Sequence, residues 1–185
     1  MPTIFSHAVF ASAVGGAYAS EPMPLRFWVL TATCAMLPDV DAIGFAFGVP
    51  YDSLLGHRGL THSIAFALLV GLVVAMFAFG EQTSRLGTLW LVVYFGLITL
   101  SHPLLDALTN GGLGVALFAP FSPERYFFPW RPIEVSPIGM RFFSERGLEV
   151  LASEIVWVWL PAILIYGAAR VYQKLRRDRE RSAQD

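Results

Sequence analysis

The stretch His57-Arg58-Gly59-Leu60-Thr61-His62-Ser63 places two imidazoles and a guanidinium directly before an apolar run from Ile64 to Phe79. Such polar groups are costly at the mouth of a membrane-length segment unless something binds them. The chain has four histidines, and each lies in or beside a hydrophobic segment: His7, His57, His62 and His102. This distribution predicts one buried polar site assembled from several spans.

His102 and Asp106 are four residues apart on a predicted helix, so their side chains project from the same face. Together they can present an imidazole nitrogen and a carboxylate oxygen to one cation. The ordinary alternative is a hydrogen bond between them that satisfies both groups inside a helical bundle.

Asp39 and Asp41 flank Val40 just after Pro38. Two carboxylates this close repel each other unless a cation or a proton lies between them. A solvated turn would explain the pair equally well in a hydrophilic loop, but here it lies between two apolar runs.

His57 and His62 are five residues apart, with Gly59 between them. This is no standard helical metal pair, but a junction between a loop and a helix can bring both rings together. The planar guanidinium of Arg58 suits a carboxylate or a phosphoryl group. The alternative is a His–Arg cluster at the lipid headgroups.

His7 and Glu154 are isolated ionisable residues within predicted spans. Burying either without a partner would cost several kcal/mol. A lone histidine in a span is more often a hydrogen-bonded bundle residue than a ligand, but a polar site at the same ends of the spans would accommodate both residues.

One divalent cation would account for all of these polar groups together. Mixed imidazole and carboxylate ligands suit Zn²⁺ or Mn²⁺. The chain has a single cysteine, Cys34, which lies in an apolar run, so an intramolecular disulfide is excluded. The candidate ligands exceed four, so one or two ions are expected, and in a two-metal site a bridging water is nucleophilic near neutral pH. The candidate ligands are His7, Asp39, Asp41, His62, His102 and Asp106.

The composition is that of a polytopic helical membrane protein rather than a soluble domain. Of 185 residues, 55% are hydrophobic and 15% charged, and the mean hydropathy is +0.56. A helical span needs roughly 20 apolar residues. We predict an all-α fold with about five spans at residues 3–19, 25–36, 61–79, 86–108 and 148–172, a short re-entrant or interfacial helix over 42–49, and Thr61 as the cap of the third span.

Residues 1–172 form one predicted membrane domain, and residues 173–185 form a charged tail. The domain contains a long loop, 109–147, rich in proline, glycine and aromatic residues, and irregular connections of this length are usually functional. Ala17-Tyr18-Ala19 resembles a signal-peptide cleavage site, but no Lys or Arg precedes the apolar stretch. We therefore expect residues 1–20 to be retained as the first span.

Five alternating spans would place the His/Asp residues and the long loop on one side of the membrane. The other side would hold eight of the thirteen Lys and Arg residues, most of them in the tail. The positive-inside rule then predicts a cytoplasmic tail and a polar site at the outer face.

Three stretches resemble, in order and context, the YdjM-like family of inner-membrane-bound metal-dependent hydrolases, some members of which are described as LexA-regulated. They are Pro38-Asp39-Val40-Asp41, His57 to Ser63, and Ser101-His102-Pro103-Leu104-Leu105-Asp106. His7 and the loop from Pro120 to Pro132, which contains Ser122-Pro123, fit the same pattern. The resemblance covers about residues 3 to 165 and excludes the basic tail. It implies a metal hydrolase embedded in the inner membrane.

We therefore predict a membrane-bound metal-dependent hydrolase, most consistent with Zn²⁺, that acts on a lipid or a phosphoester. In this interpretation His57 is a further ligand or the general acid, Arg58 stabilises developing negative charge, and Glu154 is a supporting group or a base. Membrane lipid is the expected partner and nucleic acid is not. Two alternatives remain: a metal-ion or proton transporter that uses the same residues, and a non-catalytic scaffold that binds partners through the loop or the tail. The tail could also bind anionic lipid.

Overall fold

The computed structural model describes residues 1–80, 83–137 and 139–183. In these residues the only extended pairing is two isolated β-bridges, Thr109 with Ile133 and Val115 with Tyr126. The predicted all-α fold class is therefore confirmed. The α-helices are α1 (Ile4–Tyr18), α2 (Leu25–Met36), α3 (Ile64–Phe79), α4 (Arg85–Ala107), α5 (Glu145–Glu154) and α6 (Leu160–Ser182).

Other helical turns extend or join these helices. A 3₁₀ helix, Leu37–Phe47, continues α2 directly, so the short helix predicted over 42–49 is the second half of this segment. A π-helical turn, Ile155–Trp159, joins α5 to α6. The result is one 38-residue rod that carries the charged tail as helix to Ser182. Two further 3₁₀ turns lie at Leu60–His62 and Gly139–Phe142.

Three of the described helical segments are long and apolar enough to cross a membrane: Leu25–Phe47, Arg85–Ala107 and Glu145–Ser182. The helices α1 and α3 are also apolar but have only 15 and 16 residues. Large apolar side chains such as Phe77 and Leu164 are mostly exposed, as expected for surfaces that contact hydrocarbon. Of the polar turn predicted over 81–85, residues 81 and 82 lie outside the described residues.

Small residues allow the helices to approach closely. A Cβ added to Gly71 of α3 would lie 2.5 Å from the carbonyl oxygen of Val92 and 2.7 Å from the backbone nitrogen of Gly96, both on α4. A Cβ on Gly16 of α1 would lie 2.5 Å from the Tyr166 ring of α6. Glycine at such positions lets helix backbones pack against each other in lipid.

A core of aromatic rings fills the bundle on the side where α1 ends and α2 begins. Phe27 stacks on Tyr94 with ring centroids 5.0 Å apart, and Phe79 stacks on Phe95 at 5.7 Å. The hydroxyl groups of Thr31 and Tyr94 share a hydrogen bond of 2.8 Å. The candidate site residues lie away from this core, with His7 near the start of α1, Asp39 just after α2, and His102 and Asp106 near the end of α4.

The start of α3 corrects one prediction. Ser63, not Thr61, caps this helix, because its Oγ accepts a hydrogen bond of 3.0 Å from the Phe66 backbone N–H. Residues 60–62 still form a 3₁₀ turn, so the chain becomes extended only at Ser63. The Thr61 hydroxyl instead donates to Asp41 Oδ2 at 2.6 Å.

Candidate metal centre

Four buried side chains converge from three parts of the chain. Asp39 comes from the 3₁₀ helix, His62 from the turn before α3, and His102 and Asp106 from successive turns of α4. One potential ligand atom of each lies within 4.8 Å of those of the other three. Residues that are distant in sequence thus meet at one place, as the sequence predicts.

The separations within this cluster match the spacing of ligands around a cation better than hydrogen bonding. His102 Nε2 lies 3.3 Å from Asp39 Oδ1, and His62 Nε2 lies 3.7 Å from the same oxygen and 3.5 Å from Asp106 Oδ2. Hydrogen bonds between nitrogen and oxygen centre near 2.9–3.0 Å. Ligand atoms around a tetrahedral zinc ion, with bonds of about 2.0–2.1 Å, are roughly 3.4 Å apart.

The same atoms lack hydrogen-bond partners among the described residues. These atoms are both carboxylate oxygens of Asp39 and of Asp106 and the Nε2 atoms of His62 and His102. Buried polar groups of proteins are almost always paired, and a buried charge without a partner is very costly. A cation here would be bound by one atom from each of the four residues, so the donor set fits a metal ion.

Two of the histidines are oriented as metal ligands usually are. His102 Nδ1 donates to the carbonyl oxygen of Ala35 at 2.7 Å, which leaves Nε2 free to offer its lone pair. His62 Nδ1 lies 3.1 Å from Asp41 Oδ2, and its Nε2 also faces the cluster. Ligating histidines generally donate their second N–H to a carbonyl or a carboxylate.

His7 lies at the edge of the cluster. Its ring stacks on that of His102, with centroids 3.6 Å apart and planes 13° apart. His7 Nε2 is 3.5 Å from Asp106 Oδ1, and neither ring nitrogen has a hydrogen-bond partner among the described residues. His7 is thus placed as a fifth potential ligand on the Asp106 side.

Asp41 lies next to the cluster, and its oxygens are already hydrogen-bonded. Oδ1 accepts from His57 Nδ1 at 2.7 Å, and Oδ2 accepts from the Arg58 backbone N–H and the Thr61 hydroxyl. Asp41, His57 and His62 also satisfy the spacing of a metal site. The oxygens of Asp41 thus have hydrogen-bond partners in the protein, whereas those of Asp39 and Asp106 have none among the described residues.

Arg58 holds Asp106 from the loop side. Its side chain is buried, and Nε lies 3.0 Å from Asp106 Oδ2 without the alignment of a hydrogen bond. Its two terminal nitrogens donate to the Gly111 carbonyl oxygen at 2.9 Å and to Thr109 Oγ1 at 3.0 Å. The guanidinium therefore joins Asp106 to the start of the long loop.

The backbone around Arg58 explains the glycine that follows it. Arg58 has φ 62°, a left-handed conformation uncommon for a residue with a side chain. A Cβ on Gly59 would lie 2.3 Å from the Leu54 carbonyl oxygen. That oxygen accepts from the Leu60 N–H at 2.8 Å, so the tight turn that places His57 and His62 needs glycine here.

Glu154 is not brought to the cluster. It is fully buried at the start of α1 and accepts hydrogen bonds from the Thr3 hydroxyl and the Ser6 hydroxyl, each at 2.6 Å, and from the Thr3 N–H. The indole N–H of Trp159 also donates to Ser6 at 2.7 Å. Glu154 thus anchors the first turn of the helix that carries His7.

The charges of the cluster favour a cation. Burial disfavours the protonated form of His62, but the negative charges of Asp106 and Asp41 outweigh this effect and raise the pKa of His62 to about 9. A ligating histidine binds its metal in the neutral form, so metal binding at such a site releases a proton.

Two further residues, Arg125 and Thr109, hold the site together and carry no signal in the sequence. Arg125 donates to the carbonyl oxygens of His57 and Tyr51, each at 3.0 Å, and ties the long loop to the loop before α3. The Thr109 hydroxyl accepts a hydrogen bond from Arg58 Nη2 and donates one to the Asp106 carbonyl oxygen at 2.7 Å. No spacing rule marks either residue, because both act across loops.

Comparison with known proteins relates the chain to inner membrane proteins. A family model described as YdjM inner membrane protein matches residues 1–176. The chain is 40% identical over 168 residues to the inner membrane protein YbcI of Escherichia coli strain K12. The aligned region covers 90% of this chain and 96% of that protein. No solved structure matches. These matches, together with the long apolar helices, support an inner-membrane location.

Proposed function

This chain belongs to the YdjM inner membrane protein family, and we propose that it is a membrane-bound, metal-dependent hydrolase. Its centre is formed by Asp39, His62, His102 and Asp106, with His7 as a fifth group. The observation that carries the proposal is the convergence of buried nitrogen and oxygen atoms without hydrogen-bond partners.

The ligand types favour Zn²⁺ or Mn²⁺, because imidazole and carboxylate suit both ions and no thiolate takes part. Such an ion, when bound, acts as a Lewis acid and supplies a nucleophile near neutral pH. One ion is proposed, since the oxygens of Asp41 are already hydrogen-bonded.

The surrounding side chains position the centre and move protons. Asp41 fixes the ring of His57 through Nδ1, which leaves Nε2 to exchange a proton with a leaving group or a nucleophile. Arg58 is proposed to position Asp106 rather than to touch substrate, since its three nitrogens already face protein oxygens.

The route to the centre favours an amphiphilic substrate. Among the four converging side chains, Asp39 alone has measurable exposure, at 7%. Its 3₁₀ helix also exposes Val40, Ile43 and Phe47. A substrate that approaches along this face would meet apolar side chains before the carboxylate, as a lipid or a lipid-like phosphoester can.

We further propose that five helical segments cross the membrane and that the tail is cytoplasmic, which places the centre at the outer face. These segments are α1, α2 with its 3₁₀ extension, α3, α4, and the continuous helix of α5 and α6. The excess of Lys and Arg on the side of the tail supports this orientation.

Metal analysis of the purified full-length protein, followed by assays against phosphodiester, phosphomonoester and carboxylic ester lipids, tests the proposal. We expect one divalent ion per chain and turnover of at least one lipid class, both lost in His62→Ala. Bound metal with ion flux in liposomes but no turnover would favour a transporter. Absence of stoichiometric metal would favour a scaffold.

A further inference from the structure

A basic crevice lies at the opposite end of the molecule from the His/Asp cluster, where α1 ends. One cavity of about 410 Å³ separates the end of α1 from α6, and a second of about 420 Å³ lies beside it. The two share Ser20, Glu21 and Arg177 in their walls. Together they form one site between α1, the following turn and α6, which we call the basic crevice.

Two arginines of α6, Arg170 and Arg177, line the basic crevice and use few of their N–H donors within the protein. Arg170 donates to Gln173 Oε1 at 3.3 Å, and Arg177 donates through Nε to the Gln173 carbonyl oxygen at 3.4 Å. Both contacts are long, and a guanidinium carries five N–H donors. Several donors of each residue therefore stay available for an anion.

The other charges in the walls do not cancel this pair. Arg176 is matched by Glu180, with Nε 2.8 Å from Oε1. Glu21 is the remaining carboxylate of the lining, which leaves the walls with one net positive charge. A phosphate group fits this balance, because arginine binds phosphate through parallel N–H donors.

Aromatic side chains place the basic crevice at a membrane interface. Tyr18 and Tyr172 line one of its two cavities, and Trp28 and Tyr166 line the other. Tryptophan and tyrosine are enriched where lipid headgroups meet the hydrocarbon. Gly16 lies directly under the Tyr166 ring, so this wall is fixed by helix packing.

An apolar groove continues from the basic crevice into the hydrocarbon region. It has a volume of about 250 Å³, and Tyr18 lines both it and the crevice. Phe10 and Val14 of α1 form one side, at successive turns before Tyr18, and α4 forms the other from Trp90 to Ser101. That stretch of α4 is about 16 Å long, or roughly half the hydrocarbon thickness.

We propose that the basic crevice and the groove bind one anionic glycerophospholipid of the leaflet on the tail side. Arg170 and Arg177 hold its phosphate, and the groove receives one acyl chain. Net positive charge selects an anionic over a zwitterionic lipid, and the apolar groove selects a lipid over free phosphate. The site is independent of the His/Asp cluster.

The test is native mass spectrometry of the full-length protein, delipidated in a neutral detergent and titrated with phosphatidylglycerol or phosphatidylcholine. The wild type is expected to bind one phosphatidylglycerol in preference to phosphatidylcholine. The double variant R170Q/R177Q is expected to bind it about 30-fold more weakly, since each arginine contributes about fivefold. Excess inorganic phosphate should not displace the lipid.

The matched control is R179Q/R181Q, which removes the same charge from exposed positions beyond the crevice and should change affinity by less than about threefold. In the groove, Leu97→Trp should weaken binding, whereas Leu68→Trp, exposed on α3, should not. Unchanged thermal midpoints would show that the variants fold. Equal losses in both arginine pairs, no preference between the two lipids, or displacement by phosphate would each overturn the proposal.

Discussion

Arg58 Nε lies 3.0 Å from Asp106 Oδ2, and both side chains are almost completely buried. This ion pair joins the loop before α3 to the last turn of α4, beside the converging ligand atoms. It balances one of the two carboxylates whose oxygens face the candidate metal position. The pair therefore shapes the site even before a cation binds.

Replacing Arg58 by leucine is expected to lower the free energy of unfolding by about 3–5 kcal/mol, because Asp106 would be left as an uncompensated buried charge. Chemical unfolding in detergent measures the effect. Arg131→Leu is the control, since Arg131 is exposed, and it should cost less than about 1 kcal/mol. A stable Arg58→Leu protein that binds metal but hydrolyses nothing would instead indicate a catalytic role.

Asp39 and Asp41 should differ in their effect on metal content, although they are only two residues apart. Asp39→Asn removes a carboxylate whose oxygens have no other partner and should abolish stoichiometric metal. Asp41→Asn removes the carboxylate that contacts His57 and His62 and should weaken metal binding by about 10–100-fold. Elemental analysis at defined free metal concentrations separates the two.

The control for this pair is Asp52→Asn, an exposed carboxylate in the adjacent loop, which should leave metal content unchanged. Equal loss of metal from the Asp39 and Asp41 variants would mean that both carboxylates bind the ion directly.

Removal of the metal should lower the thermal midpoint of unfolding. A ligand that binds only the folded state at 100 times its dissociation constant stabilises it by about 2.7 kcal/mol. Chelator should therefore shift the midpoint of the wild type downwards, and added Zn²⁺ or Mn²⁺ should restore it. The Asp39→Asn protein should not respond to either treatment. A chelator shift of the same size in that variant would assign the bound metal to another place.

The sequence predicts that the candidate ligands converge, but it does not predict which of them face the metal position and which bind neighbouring side chains. Helical periodicity places His102 and Asp106 on one face, and the ends of predicted spans bring them near Asp39 and His62. The separate roles of Asp39 and Asp41 depend on which oxygens the Arg58 N–H and the Thr61 hydroxyl reach. That choice is made by the tertiary fold and leaves no mark in residue spacing.

Helix ends show the same limit. Both Thr61 and Ser63 are good capping residues by type, and the 3₁₀ turn at Leu60–His62 decides between them. The fold class and the long apolar helices follow from hydropathy, because apolar length is a property of the sequence alone. The left-handed Arg58 and the buried Glu154 at the start of α1 depend on contacts between distant segments.

Gly59 should not tolerate a side chain. Because the added Cβ would lie 2.3 Å from the Leu54 carbonyl oxygen, Gly59→Ala must shift the backbone of the turn that carries His57 and His62. We expect a loss of about 1–3 kcal/mol of stability together with weaker metal binding. Gly80→Ala is the control, since a Cβ there meets nothing within 4 Å. If the two variants unfold at the same midpoint, the turn is less constrained than its geometry indicates.

Glu154 should stabilise the protein without acting as a base. Its carboxylate accepts hydrogen bonds from Thr3 and Ser6 at the start of α1, so Glu154→Ala leaves buried donors unpaired and should cost about 1–3 kcal/mol. Glu149→Ala, at an exposed site on the same helix, should be nearly neutral. Metal content at saturation should be retained, because Glu154 contacts no ligand. The dependence of any hydrolysis rate on pH should also keep its shape. Loss of a general base would instead remove the rise in rate with pH that reports ionisation of that base.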